Sequence, residues 1–274
     1  MRPAYLIYSD NYFKGEIGMP VQYNGILKGG FNLGNTNSEY YLDDKFSKSD
    51  TAETTRFNYI TPYIAYDRNT LNYKQFPSKG SRLFARVSYL RGREDYKPGS
   101  SQHLDQSQSE AHRWINLHVE YESYFPVNPL FKLGLQLEGN YTNRDFFTNY
   151  YATTLHSPFY NPLPHSKTQY LPNYISNHYL AAGLTPVLEF SEKFQLRAGA
   201  HLFLPYKKII EKPDKTAGYR EPLSDYHTML GASIVYHTVF GPASLSLNYF
   251  EKRNKNLYFL FNFGFVLFNE QGIK

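Results

Sequence analysis

The sequence predicts an all-β fold, an antiparallel transmembrane β-barrel, and three features of its 274 residues support that prediction. Apolar and polar residues alternate over segments that are longer than the five or six residues of an ordinary strand. Short turns and long polar loops follow one another along the chain. Aromatic residues are abundant, with 27 Tyr and 21 Phe, and they gather near the ends of the predicted strands. A membrane barrel shows this combination, because alternate residues face lipid and loop length differs between its two ends.

The alternation defines about twelve candidate strands. In residues 130–141, Phe and Leu alternate with polar or small residues, so one face of the strand is apolar. Residues 257–268 are the most apolar, with Leu or Phe at every second position. Most segments contain the 9–11 residues that a tilted strand needs to cross a membrane. The segments lie near 2–9, 12–23, 26–41, 55–69, 80–95, 111–125, 130–146, 177–190, 194–208, 226–239, 242–251 and 257–268.

The connections between these segments alternate in length. Asn24-Gly25 is the strongest hairpin signal, because both central residues of such a turn are expected to take positive φ. The other short turns are 126–129, 191–193 and Gly241-Pro242. The long polar loops, expected outside the membrane, are 42–54, 96–110, 147–176 and 209–225. If the short turns are periplasmic, the C-terminus lies on the periplasmic side as well.

Composition excludes several other classes of protein. Without any Cys, the chain has no disulfide, no Cys-ligated zinc and no thiol catalysis. The net charge of +5 is scattered rather than gathered in a stripe, so no nucleic-acid partner is predicted. The chain contains no run of about 18 apolar residues, which is the length that a membrane-spanning helix needs. Residues 1–25 show no signal peptide, which an outer-membrane protein needs, so we expect the chain to continue a longer protein.

Ten charged side chains should point into the lumen if the alternation holds. They would form either a polar pore or loop-docking surface, or cross-strand ion pairs that stiffen the wall, and the ion pairs are the favoured interpretation. These residues are Lys14, Glu16, Arg82, Arg86, Glu120, Glu122, Lys132, Glu138, Glu189 and Arg197.

No catalytic, cofactor-binding or metal-binding residue is predicted. The chain has no G-x-S-x-G nucleophile elbow, P-loop, dinucleotide fingerprint or H-E-x-x-H motif, so we expect it not to be an enzyme by itself. His156 and His165 share a loop with Asn161, and they are expected to be solvated rather than to bind a metal. The acidic residues Asp43 and Asp44, near Asp50, are also expected to be solvated rather than to hold a cation.

Two stretches resemble a known family. Tyr66 to Asn69 with Phe76 to Ser81 resembles a hairpin signature of the bacterial surface-antigen barrels, the superfamily of outer-membrane assembly factors and two-partner secretion translocators. Gly241 through Phe268 is similar to the last two strands of that family. With Ser9 to Phe13, this end also resembles the C-terminal barrel of patatin-like phospholipases from Bacteroidetes-type bacteria. The closing residues look like the signal that the barrel-assembly machinery reads: Phe261, Asn262, Gly264, Leu267 and Phe268.

The resemblance implies a specific setting. A family barrel has sixteen strands, so about four would precede Met1, and a patatin-like hydrolase domain would precede those. The implied function is to anchor and translocate that domain in the outer membrane of a Gram-negative bacterium. The alternative is a stand-alone pore or an assembly-factor-like insertion barrel. The implied partners are outer-membrane lipid, the barrel-assembly machinery and the attached domain, with no cofactor.

The chain departs from the assembly factors at one place. Those proteins fold a long loop into the lumen and pair an Arg at its tip with an acidic strand residue. The matching loop here, 147–176, contains no Arg, and the matching strand, 194–199, contains no acid. The absence of both the arginine and the acid is physically consistent, because one buried charge without its partner would cost about 3–5 kcal/mol. An assembly-factor activity is therefore the weaker expectation.

Overall fold

The computed structural model describes residues 6–21, 23–42, 49–100, 106–251, 256–265 and 272–273, and within them the chain is almost entirely β. Eleven strands form one antiparallel sheet, while β9 and β10 form a separate small hairpin. The strands are β1 Leu6–Pro20, β2 Gly25–Tyr40, β3 Glu53–Asn69, β4 Gly80–Lys97, β5 Gln108–Pro126, β6 Phe131–Thr142, β7 Tyr179–Glu189, β8 Phe194–Pro205, β9 Ile209–Glu211, β10 Ala217–Tyr219, β11 His227–Thr238, β12 Gly241–Phe250 and β13 Leu257–Phe263.

Ten predicted segments each correspond to one strand of the large sheet, but the first two segments, 2–9 and 12–23, belong to a single strand, β1. The polar run Ser9-Asp10-Asn11 continues the ladder, because β2 supplies a partner opposite each of its residues. The prediction of about twelve strands therefore counted β1 twice.

The turn between β1 and β2 differs in detail from the prediction. Asn24 takes a positive φ of 60°, whereas Gly25 already belongs to β2. Glycine is still required at position 25, because a Cβ atom there would lie 2.4 Å from the carbonyl oxygen of Val21. The Asn-Gly signal thus marks the hairpin correctly, but for a steric reason at the glycine.

The sheet is strongly curved. β4 and β8 lie four strands apart, which would separate them by about 19 Å in a flat sheet. Yet the connection of residues 70–79 that precedes β4 reaches the second half of the sheet. The Tyr73 ring stacks on His237 of β11 with centroids 3.9 Å apart, and Lys79 Nζ lies 3.5 Å from Glu189 Oε1. We call residues 70–79 the cap segment, because it crosses the short-turn end of the concave face.

The sheet is not closed. β1 and β13 are its two edges, and in the described residues no backbone ladder joins them. The structure therefore shows one curved antiparallel sheet, and it does not show the closed barrel that the sequence predicts. The helices in the described part of the chain are short, and none is long and apolar enough to cross a membrane.

The two faces of the sheet have opposite character. The convex face exposes large apolar side chains on every one of the eleven strands, because the apolar residues of the alternating pattern point outward. One example from each strand is Phe13, Leu33, Ile64, Val87, Ile115, Leu137, Leu184, Leu204, Ile234, Leu247 and Phe261. The concave face carries Tyr, Phe and polar residues, and most of these are buried.

Residues 143–178, which connect β6 to β7, fold across the concave face, and we call them the interior loop. The loop contains α1, Tyr150–His156, whose N-cap Asn149 side chain accepts a hydrogen bond from the Ala152 amide. Tyr151 and Tyr174 are buried within it. The expectation of an external polar loop over 147–176 is therefore wrong. Tyrosine rings supply apolar surface, and their hydroxyl groups find polar partners on the strands.

The hairpin β9–β10 occupies the predicted loop 209–225 and packs beside α1. The Tyr150 amide donates to the carbonyl oxygen of Lys215, 2.9 Å away. This contact joins the two long connections at the same end of the sheet.

We predict that replacing Phe57 with Ala destabilises the fold by about 3–5 kcal/mol. Phe57 is fully buried and contacts the rings of Trp114, Phe147 and His156. Denaturant titration measures the loss as the change in the free energy of unfolding. Ile64→Ala is the matched control on the same strand, since Ile64 points outward and is 63% exposed. An equal loss in the two variants would contradict the assignment of the faces.

Candidate functional site

The strand register places all ten predicted charged residues on the concave face. Arg82 on β4 lies opposite Glu122 on β5. Glu120, also on β5, lies opposite Phe84 on β4 and opposite Glu138 on β6. Further along the same face, Val187 lies between Lys132 and Arg197. The alternation that separates apolar from polar residues thus also brings these charges to one surface.

One charged group lies on β1 to β4. The Glu16 carboxylate accepts a hydrogen bond from the Tyr63 hydroxyl at 2.6 Å. It also lies 3.3 Å from Lys14 Nζ and 3.4 Å from Lys28 Nζ. The Arg86 guanidinium stacks over the Tyr63 ring, 3.9 Å from its centroid. Two lysines and one arginine therefore surround a single carboxylate and a tyrosine.

A second group lies on β3 to β5. Arg82 Nε donates to Asp67 at 3.3 Å, and its Nη1 donates to Glu120 at 3.0 Å. His118 Nε2 lies 2.8 Å from the other oxygen of Glu120. All of these side chains are partly accessible to solvent on the concave face, so each ion pair adds little to stability.

A third group joins the cap segment to the sheet. Arg197 donates to the Tyr124 hydroxyl at 2.9 Å and to the carbonyl oxygen of Pro77 at 3.0 Å. Tyr124 in turn donates to Glu122 at 2.8 Å. Gln195 Nε2 donates to the carbonyl oxygen of Phe76 at 3.2 Å.

The remaining three predicted residues have local roles, and the Glu189 carboxylate lies 3.5 Å from Lys79 Nζ of the cap segment. Lys132 Nζ donates to the carbonyl oxygens of Asn128 and Pro129, so it caps the β5–β6 turn instead of facing open space. Glu138 accepts a hydrogen bond from the Tyr179 hydroxyl at 2.6 Å. Every one of the ten residues thus contacts a partner on the concave face or at its rim.

A cavity of about 890 Å³ lies between the interior loop and the cap segment. One wall, from β3 to β6, carries both signs of charge. The opposite wall, from β7 to β13, consists mainly of small residues. Such a lining can solvate polar solutes and carries balanced charge. The charged lining residues are Asp67, Lys74, Arg82, Glu120, Glu122, Glu138, Lys167 and Arg197, and the small ones are Thr185, Ala198, Gly199, Gly231, Ser233, Ser244 and Ser246.

Arg144 holds the interior loop together and was not among the predicted residues. Its guanidinium donates to the carbonyl oxygens of Thr153, at 2.6 Å, and His156, and to the Ser157 hydroxyl at 2.7 Å. It also lies 5.3 Å from the Trp114 ring centroid. Burial lowers the pKa of Arg144 to about 10, which leaves it protonated at neutral pH. Arg144 precedes the predicted loop, so the sequence offered no signal for this role.

Glu94 ties the interior loop to the strands. It is buried on β4, and it accepts hydrogen bonds from the Thr148 amide at 3.1 Å. His112 Nε2 on β5 lies 2.9 Å from its second oxygen. With Glu110, these groups place three potential metal ligands within 4.8 Å of one another. Since the Glu94 oxygens already accept hydrogen bonds from protein groups, we assign the cluster to anchoring the loop.

The two loop histidines are buried, so the expectation that they are solvated is wrong. Nδ1 of His156 lies 2.7 Å from the carbonyl oxygen of Ala152, and its Nε2 lies 2.7 Å from Thr36 Oγ1. Burial lowers the pKa of His156 to about 3, so the ring is neutral and donates from Nδ1. His165 instead lies beside Asn248 of β12. The two histidines contact strands near opposite edges of the sheet, β2 and β12, and do not form one metal site.

The other predicted features can be located only in part. Phe261 points outward from β13, and the Asn262 side chain donates to the carbonyl oxygen of Gly264 at 3.0 Å. Gly264 has a φ of +92°, which favours glycine. Asp50 is partly buried. Leu267, Phe268, Asp43 and Asp44 lie outside the described residues.

Two comparisons with known proteins give no match. No family model matches the chain, and no curated protein matches it. The resemblance to surface-antigen barrels and to patatin-like phospholipases therefore stays a prediction that rests on the motifs quoted above.

We predict that acidification loosens the interior loop. His156 binds a proton near pH 6.5 when it is exposed but only near pH 3 in the fold. Between these pH values His156 binds more protons when the loop is undocked than when it is docked, so the stability of the docked loop falls as the pH falls. From pH 7 to pH 5 the loss is about 2 kcal/mol. Hydrogen exchange of the α1 amides, corrected for the intrinsic pH dependence, measures it.

His156→Gln is the control for this prediction, because glutamine cannot take up the proton. The variant should show α1 protection that changes less between pH 7 and pH 5 than in the wild type. The same pH dependence in both proteins would assign the effect to another group.

Proposed function

We propose that this chain is the barrel part of an outer-membrane protein of a Gram-negative bacterium, and that it anchors an attached domain in the membrane. The observation that carries the proposal is the convex face, on which all eleven strands expose large apolar side chains. Soluble monomers rarely expose contiguous apolar patches of more than a few hundred Å². Lipid is the solvent that such a face fits.

The energetics support lipid rather than water at the convex face. Phe261 is 66% exposed and its neighbours Phe259 and Phe263 are similarly exposed on the same face of β13. Removing such a side chain from water is worth about 1.5–3 kcal/mol. Ion pairs and tyrosine hydroxyl groups lie on the concave face instead. This arrangement, apolar outside and polar inside, is typical of barrels with a hydrated interior.

The dimensions of the apolar band also fit a bilayer. On β5, the outward positions from Ile115 to Phe125 are apolar except for Ser123, and they span the 9–11 residues that a tilted membrane strand needs. Exposed aromatic residues lie at both ends of the sheet, where the headgroups of a bilayer would be. At the short-turn end these are Tyr23, Phe125, Phe190 and Phe240, and at the other end they include Tyr141, Tyr206 and Tyr226.

The free edges of β1 and β13 need partners in lipid, because no water is present there to satisfy backbone groups. The sixteen-stranded barrel that the resemblance implies would supply them through further strands beside β1. The same resemblance implies that the anchored domain is a patatin-like hydrolase, which the barrel would also help to translocate. Barrel closure, the attached hydrolase and its translocation are all parts of this proposal.

The interior favours an anchor over an open pore. The interior loop covers one end of the concave face, and the cap segment covers the other end through Tyr73, Gln195 and Arg197. The alternative is a stand-alone pore or a translocation barrel, and the cavity of about 890 Å³ is the observation in its favour. An uninterrupted polar path would be needed for that alternative.

We predict that Ile64→Arg lowers stability in lipid vesicles by about 2–4 kcal/mol, because Ile64 lies in the middle of the outward apolar positions of β3. The fraction of folded chain in a denaturant titration of the vesicles gives the loss. Asn58→Arg is the matched control, since Asn58 lies on the same face of β3 beyond the apolar residues. If the two variants assemble equally well, the apolar band does not face lipid.

Conductance across a planar bilayer separates the anchor from the pore. We expect the reconstituted chain to be ion-tight, because the interior loop and the cap segment obstruct the concave face. Deleting the cap residues 72–77 alone should leave the chain ion-tight, because the interior loop still covers the other end of the concave face. Stable single-channel currents from the unmodified chain would favour the pore.

A further inference from the structure

Four arginines lie together on the convex face of β3, β4 and β5, and we call Arg56, Arg91, Arg93 and Arg113 the arginine cluster. All four side chains are exposed. Arg91 lies directly opposite Arg113 in the β4–β5 ladder. Arg93 follows Arg91 on the same face, and Arg56 lies opposite Asp95. The strand register therefore concentrates four guanidinium groups on one small area of the sheet.

This arrangement costs the isolated chain free energy. Like charges that face each other across a ladder destabilise it. With the residues that the structure describes, none of the four arginines makes an ion pair or a hydrogen bond. Asp95, the acid opposite Arg56, accepts a hydrogen bond from Ser109 at 2.7 Å and offsets one of the four positive charges. An anionic group from outside the chain would supply the missing counter-charge.

The position of the cluster identifies the kind of anion. One row nearer to the short-turn end on the same face, the outward residues are Tyr89 on β4 and Ile115 on β5, both exposed and apolar. The cluster therefore begins where the apolar band ends, on the side of the long loops. In a membrane that is the level of the lipid headgroups, whereas a soluble polyanion would not need an apolar surface below its binding site.

The chemistry of the cluster narrows the ligand further. All four cations are arginines, whose planar guanidinium groups bind phosphate oxygens through two parallel hydrogen bonds. Four such groups on adjacent strands match a headgroup that carries more negative charge than a zwitterionic lipid. A lysine or an arginine near a membrane surface typically contributes about fivefold in affinity for anionic lipid.

We propose that the arginine cluster binds the anionic, phosphate-bearing headgroup of a lipid in the membrane leaflet on the long-loop side. This inference rests on the proposed membrane location of the chain and deepens it. The acyl chains of the same lipid lie along Tyr89 and Ile115, so headgroup and tail are recognised by adjoining parts of one face.

The test uses the full chain, reconstituted in phosphatidylcholine vesicles that contain a tenth of phosphatidic acid. Phosphatidic acid that remains bound after gentle detergent extraction is counted per chain by mass spectrometry, and titration of the lipid into the extracted protein gives the dissociation constant. We expect the dissociation constant to rise about fivefold for Arg91→Gln and about 25-fold for the Arg91→Gln, Arg113→Gln double variant.

Arg68→Gln is the matched control. Arg68 is exposed on the same face of β3 at the short-turn end, so its removal should leave the dissociation constant unchanged. Equal affinity of the wild type and the double variant would overturn the proposal. Full displacement of the lipid by an equal concentration of inorganic phosphate would overturn the lipid as the source of the phosphate. If the chain does not insert into vesicles at all, the membrane location fails and the lipid site fails with it.

Discussion

The interior loop is held against the concave face of the curved sheet by a stack of aromatic rings. Phe147 of the loop packs on Phe57 with ring centroids 5.0 Å apart and stacks on His112 at 4.6 Å. His156 adds a hydrogen bond to Thr36 on β2, while His165 reaches Asn248 on β12. A flat sheet could not place both β2 and β12 against His156 and His165, which are nine residues apart in the loop. The filled interior follows from this wrapping.

The buried guanidinium group of Arg144 is stabilised by neutral hydrogen-bond acceptors. Among the residues that the structure describes, no carboxylate accepts a hydrogen bond from Arg144, and two carbonyl oxygens and a hydroxyl group are its acceptors. The loop therefore stays in the interior without the arginine–acid pair expected of an assembly-factor loop. Strand β8 contains Arg197 on its concave face, and Arg197 donates a hydrogen bond to the carbonyl oxygen of Pro77 in the cap segment. Two different arginines thus fasten the two connections that fill the concave face.

Alternation predicts strands well because each strand separates two environments, and that separation repeats at every second residue. It located most strands and the common face of the ten charged residues, but it broke β1 at Ser9-Asp10-Asn11, where polar residues continue the ladder. The interior loop could not be predicted in the same way. Its contacts join residues as far apart as Thr36 and His156, and no local pattern records a partner 120 residues away.

Neighbouring strands of the large sheet are also neighbours in the chain, apart from β8 and β11, which flank the small hairpin. Most strands can therefore add to the preceding one by closing a modest loop, and this order favours growth from local contacts. The interior loop is made after β6 but contacts strands from both halves. It becomes enclosed only when β8 to β13 come round it. We expect docking of the loop and completion of the second half of the sheet to occur together, as one cooperative step late in assembly.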